Sequence, residues 1–176
     1  MYLENIKVDA FFKLQDADKF AMYFNTLKAN NLFRGVSLDE QTLTYSNILV
    51  LKESYSQSTI TDYFTIYEIC YNQTPISFLN GSILEFIQTN RYILNLLKTI
   101  TEREQKMLES ESDVKWSQAG GERMDIFGGK AIMIQLGEQF NKSPREIGDW
   151  LYSEVFMIQL YNSRLNSVMK NYHKIK

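Results

Sequence analysis

The sequence predicts a mainly α fold: a helical bundle with a long central helix, a helix-turn-helix-like hairpin towards the C-terminus, and at most a minor β element near the N-terminus. Two stretches carry that reading. From Ser82 to about Glu109, the residues Ile83, Phe86, Ile87, Ile93, Leu94, Leu97 and Ile100 recur at helical spacing and draw one apolar stripe along a long helix. From Asn141 to Tyr161 the chain reads N-K-S-P-R-E-I-G-D-W-L-Y-S-E-V-F-M-I-Q-L-Y and carries every local signal of a helix start. Ser143 can accept from the free amides of the first turn, Pro144 sits where its missing N–H costs nothing, and Glu146 completes a reciprocal capping box.

The remaining elements follow in chain order. Asn5 to Leu14 mixes two periods: Ile6, Val8 and Ala10 alternate as in a strand, but Ala10-Phe11-Phe12 breaks the alternation, so the segment reads as a strand or a short helix. Asp16 or Asp18 can cap a helix through Phe20, Tyr23, Phe24 and Leu27, ending near Ala29-Asn30-Asn31. A second helix is expected from Asp39 to Lys52. Thr61 can cap a third that carries Phe64, Tyr67, Ile69 and Tyr71, closed by Asn72-Gln73-Thr74-Pro75. After the long helix, whose Glu102 to Asp113 end reads as solvated, Ser117 to Gly121 marks a boundary with a flexible Gly120-Gly121 turn. Gly128-Gly129 is a second break before a short amphipathic helix, Lys130 to Phe140. The capped helix at Ser143 then runs on to about Tyr172, bent near Gly148. This organisation suggests an N-terminal helical subdomain, 1–80, and a helical C-terminal part, 81–176, hinged near Gly120-Gly121.

A chain of 176 residues with 44% hydrophobic content can bury one good core. The formal net charge of -2 and pI of about 5.5 give no electrostatic excess that would draw the molecule to a polyanion, so nucleic acid and anionic membrane are poor partners. No apolar run approaches a bilayer span, and Met1 to Asp9 lacks the basic region and apolar block of an export signal. The single Cys70 lies among Ile66, Ile69 and Tyr71 and reads as core filler, consistent with an intracellular origin. Aromatics make up 14% of the residues, with 11 Tyr and 11 Phe, which favours extensive contact surfaces beyond the share that fills the core.

No motif for chemistry survives inspection. The glycines flanking Glu122 to Phe127 suggest a phosphate cradle. However, Met124 occupies the position that must be glycine, and Ala131 stands where Ser or Thr is needed, so the cluster reads as a turn or hinge. The acids Glu102, Glu104, Glu109, Glu111 and Asp113 read as a solvated face and not as a metal cluster. His173 has no carboxylate or Cys near it in sequence. Pairings such as Glu68 with Glu85, or Asp125 with Asp149, have nothing in the sequence to bring them together. Leu136 to Leu151 fits a helix-turn-helix, with Leu136 and Phe140 on the first helix, Asn141 at the turn, and Ile147, Trp150 and Leu151 on the second. Glu146 and Asp149 on that second helix, against Arg145 and Lys142, make it a poor match for DNA phosphates.

The run from Ala119 to Phe156, A-G-G-E-R-M-D-I-F-G-G-K-A-I-M-I-Q-L-G-E-Q-F-N-K-S-P-R-E-I-G-D-W-L-Y-S-E-V-F, resembles small helical structural and assembly proteins of tailed bacteriophages, including connector or tail components and tail assembly chaperones. The shared rhythm is a polar helix, a glycine-marked link, a short helix, an S-P-x-E cap and an aromatic-containing final helix, over about the last third of the chain. The resemblance implies a non-enzymatic protein without a cofactor or metal. Its expected place is the virion, assembled in the host cytoplasm, where it binds other phage structural proteins as a homo-oligomer or a ring subunit. Within that reading Trp116, Phe127, Trp150, Tyr152, Phe156 and Tyr161 compete for core and contact roles. Trp150, Tyr152, Phe156 and Tyr161 are the expected partner-binding residues, with Trp150 and Phe156 at different angles on one helix. The runner-up readings are a tail assembly chaperone and a DNA-binding helix-turn-helix regulator.

Overall fold

The computed structural model describes residues 5–13, 26–57, 59–108 and 120–175. They are mainly helical: α1 (Val8–Phe12), α2 (Tyr45–Gln57), α3 (Ile60–Tyr71), α4 (Pro75–Leu79), α5 (Ile83–Leu108), α6 (Lys130–Phe140), α7 (Pro144–Gly148) and α8 (Tyr152–Lys174), with 3₁₀ turns at Glu40–Thr42 and Gly121–Phe127. Pairing of β type among the described residues is confined to isolated antiparallel bridges, Lys7 with Ser82, Phe33 with Val36, and Thr44 with Leu151. The long helix is α5, where the sequence places it. The helix capped by Asp16 or Asp18, together with Trp116 and the acids Glu109, Glu111 and Asp113, lies outside the described residues.

The chain forms two compact units, and both are discontinuous in sequence: 1–40 with 50–99, and 41–49 with 100–176. The division expected at residue 80 differs from this one. Composition along a chain cannot show that α2 and α5 each contribute one end to one unit and the other end to the other.

In the first unit, helix boundaries follow from caps. Thr59, not Thr61, starts α3: its hydroxyl accepts from the Asp62 amide while the Asp62 carboxylate accepts from the Thr59 amide. The helix ends at Asn72, whose φ of 51° is the left-handed conformation asparagine tolerates. Thr74 then caps a further short helix, α4, with Pro75 in its first turn, where the sequence suggested only a closing loop. Of the Asn5 to Leu14 segment, Val8–Phe12 is helical. The strand-like element reduces to one bridge, in which the Val8 amide donates to the Gly81 carbonyl (3.0 Å) and the Ile83 amide to the Ile6 carbonyl (2.8 Å). Pairing goes no further because the chain turns helical at Val8, directly after the bridge residue Lys7.

The core of this unit is aromatic. Tyr67 is fully buried, with the rings of Phe78 and Phe33 centred 4.5 and 4.7 Å from its own. Edge-on and tilted pairs at these distances are favourable beyond their area. Its hydroxyl donates to the Phe86 carbonyl (3.1 Å) and meets Thr89 Oγ1 at 2.7 Å, so the phenol is buried without an orphaned polar atom. Tyr55 likewise donates to Asn90 Oδ1 (2.7 Å). Cys70 is buried beside them, and burial pushes its thiol up to about 12, which keeps it neutral and unreactive near neutral pH. Tyr92 bonds Glu40 near the edge of the unit.

Candidate docking surface

The second unit is organised around the start of α8. Thr44 and Asn47 cap α2 reciprocally: the Asn47 amide donates to Thr44 Oγ1 (3.2 Å) and the Thr44 amide to Asn47 Oδ1 (3.0 Å). This pair fixes the helix start at Tyr45, later than the expected Asp39. Leu43 and Thr44, just before it, meet the segment before α8, where the Tyr45 amide donates to the Trp150 carbonyl and the Tyr152 amide to the Leu43 carbonyl, both at 2.9 Å.

The Ser143 capping box forms as the sequence predicts, with Glu146 accepting from the Ser143 amide at 2.9 Å and the Glu146 amide donating back at 3.2 Å. The Ser143 amide first, then the Lys142 ammonium and the Ser143 hydroxyl, hold the exposed Glu146 carboxyl at about 2. The helix it starts is short, however. The expected bent helix from Ser143 to Tyr172 is two helices, α7 and α8, separated where Leu151 bridges Thr44 and the flanking Trp150 and Tyr152 bond Tyr45 and Leu43.

A helix-turn-helix of α6 and α7 is present, tightened by close backbone approach. Asn141 turns at φ 53°, the Lys142 amide donates to the Gly137 carbonyl (2.9 Å), and a Cβ on Gly137 would stand 2.7 Å from the Lys142 carbonyl oxygen. Its second helix has five residues and buries Ile147 and Gly148; Trp150 and Leu151, expected on that helix, lie beyond its end. The glycine cluster before α6 forms turns, with Gly120 at φ 81° and Gly128 at φ 47°, conformations in which glycine carries no Cβ penalty.

Of the four expected contact aromatics, two are internal. Tyr152 and Phe156 are both 6% exposed and stack at 6.0 Å, with the Arg103 guanidinium 4.5 Å from the Phe156 ring and 5.5 Å from the Tyr152 ring. The Tyr152 hydroxyl donates to Glu104 Oε1 (3.1 Å), and burial pushes the phenol up to about 12. Trp150 is half-buried, with its ring edge-on to Phe140 at 5.3 Å. It is not on the helix that carries Phe156, so the comparison of their angles on one helix does not apply. Tyr161 alone of the four is largely exposed, at 64%.

Tyr161 belongs to a longer apolar stripe that continues past the expected contact residues. Met157, Tyr161, Leu165, Val168 and Tyr172 follow one another at spacings of four, four, three and four residues, and all are exposed. The residues two places after the last four are Ser163, Ser167, Lys170 and Lys174. Two residues along a helix turn about 200°, so these lie on the opposite face. They line a groove of about 500 Å³ beside α6 and the end of α5, floored by Leu108, Ile132 and Leu136. The second half of α8 is thus polar towards its own unit and apolar away from it. A continuous apolar strip of this kind was legible as a period in the sequence; its exposure was not.

Among the described residues no three His, Cys, Asp or Glu side chains converge, and no helix is long and apolar enough to cross a membrane. His173 packs edge-on against Tyr172 at 5.7 Å. No family model matches the chain, and neither a curated protein nor a solved structure does.

Proposed function

We propose that this protein is a non-enzymatic structural component of a tailed-phage particle, a connector or tail protein that works by association with other phage proteins. The single observation that supports this most is the outward apolar stripe of α8. From residue 164 to 174 every residue of that helix is exposed, and a helix segment this short is marginal in water unless one face is packed. An exposed strip of Tyr, Leu, Val and Met is also the surface composition of interfaces. The resemblance of Ala119 to Phe156 to phage connector, tail and chaperone proteins supplies the setting.

A DNA-binding regulator has less in its favour. The second helix of the α6–α7 hairpin is only five residues long, which gives little to lay in a major groove, and it carries a carboxylate held ionised in its first turn. The discriminating experiment is quantitative mass measurement of purified particles. A structural component is present at fixed copy number and is lost from particles when Val168→Glu places a charge in the stripe. Absence from finished particles, with a requirement during assembly, points to a tail assembly chaperone instead. A salt-dependent duplex DNA shift abolished by Arg145→Glu would establish the regulator.

A further inference from the structure

Resting on the reading that the protein acts by association through α8, we infer that the stripe is covered by the same stripe of a second copy, packed antiparallel. The spacing is the first reason. Within α8, Ile158, Tyr161, Leu165, Val168 and Tyr172 are separated by three, four, three and four residues, an a/d heptad repeat that winds against another helix of the same period. Every copy of the chain presents such a helix.

Charge is the second reason. The positions flanking the seam are Met157, Asn162, Arg164, Met169 and Asn171, which hold one charge among five. Such flanks allow like to meet like, whereas a seam for a charged partner helix uses these positions for opposite charges. The direction follows from the far end of the helix. Parallel pairing would bring Lys170, His173 and Lys174 level with their counterparts and align the two helix dipoles. Antiparallel pairing separates the cationic ends and opposes the dipoles.

Area is the third. Tyr161, Leu165, Val168, Tyr172 and Ile175 are 64, 44, 63, 67 and 79% exposed, and Met157 and Met169 beside them are 61 and 46% exposed. Covering them buries on the order of 600 Å² per copy, about 1,200 Å² in the pair, which reaches the lower range of specific interfaces. In the antiparallel register Leu165 meets Val168 of the other copy and Tyr161 meets Tyr172.

The full chain tests this. Native mass spectrometry and sedimentation should find a dimer, and Val168→Glu should raise its dissociation constant at least about thirtyfold while the far-ultraviolet circular dichroism stays unchanged, since Val168 is exposed. A second test reads direction. Tyr161→Cys and Tyr172→Cys chains, mixed and oxidised, should give the mixed disulfide, and neither alone should cross-link; Cys70 is buried and does not compete. Self-disulfides of the single variants would overturn the antiparallel arrangement, and a monomer at all concentrations would overturn the second copy as occupant. If the chain is monomeric and Val168→Glu still removes it from particles, a different protein covers the stripe and the association reading stands. If Val168→Glu leaves particle incorporation intact, association through α8 fails as well.

Discussion

The Arg103 guanidinium on α5 stands 4.5 Å from the centre of the Phe156 ring on α8, so an aromatic expected to face a partner is clasped by its own unit. Together with Tyr152 it anchors the first half of α8 and leaves the second half to project its apolar face outward. The division of labour along this one helix leads to distinct outcomes for substitutions only five residues apart.

Phe156→Ala should destabilise the fold by about 3 kcal/mol, the usual cost of removing a buried aromatic and leaving a cavity. Tyr161→Ala should change stability by less than about 0.5 kcal/mol at low protein concentration, because its ring is mostly in water. Denaturant unfolding of the two variants separates the roles, and equal losses would contradict the assignment of Phe156 to the interior.

Gly137→Ala should destabilise the protein although Gly137 lies in α6. Helix propensity alone favours Ala by about 1 kcal/mol. The new Cβ would stand 2.7 Å from the Lys142 carbonyl oxygen, a backbone atom held by the Asn141 turn, and relieving such overpacking costs about 1–3 kcal/mol. The clash should win. A thermal unfolding midpoint above that of the parent would show that the turn yields.

Acid should weaken the second unit through Glu146. Its carboxyl is lowered from 4.5 to about 2 in the folded chain, so its contribution is fully present above the unfolded value and is lost as pH falls from about 4.5 towards 2. Glu146→Gln should remove that part of the pH dependence. Titration of Glu146 by NMR near 4.5 would indicate that the capping box is open in solution.

The local signals written in consecutive residues were legible. Ser143, Pro144 and Glu146 start α7 as read, Lys130 to Phe140 is α6 to the residue, and the stripe from Ile83 to Ile100 lies on the longest helix described. Some departures are local, such as the caps at Thr44, Thr59 and Thr74, and the larger ones follow from non-local contacts. The helix through Gly148 divides because Trp150 and Tyr152 bond Tyr45 and Leu43, about a hundred positions away in sequence. Tyr152 and Phe156 are withdrawn from the surface by Arg103, which no pattern within residues 150–161 could show.

The sequence by itself determined the mainly helical class, the caps and the heptad period of the last helix, because these depend on backbone amides and side chains within one or two turns of each other. Only the tertiary structure decided which face of that helix is covered. Burial is a property of what packs against a face, and both faces of α8 carry apolar residues: Tyr152, Val155 and Phe156 lie inside, on the face that continues as Ser163 and Ser167, while Tyr161, Leu165 and Val168 face water from the opposite side.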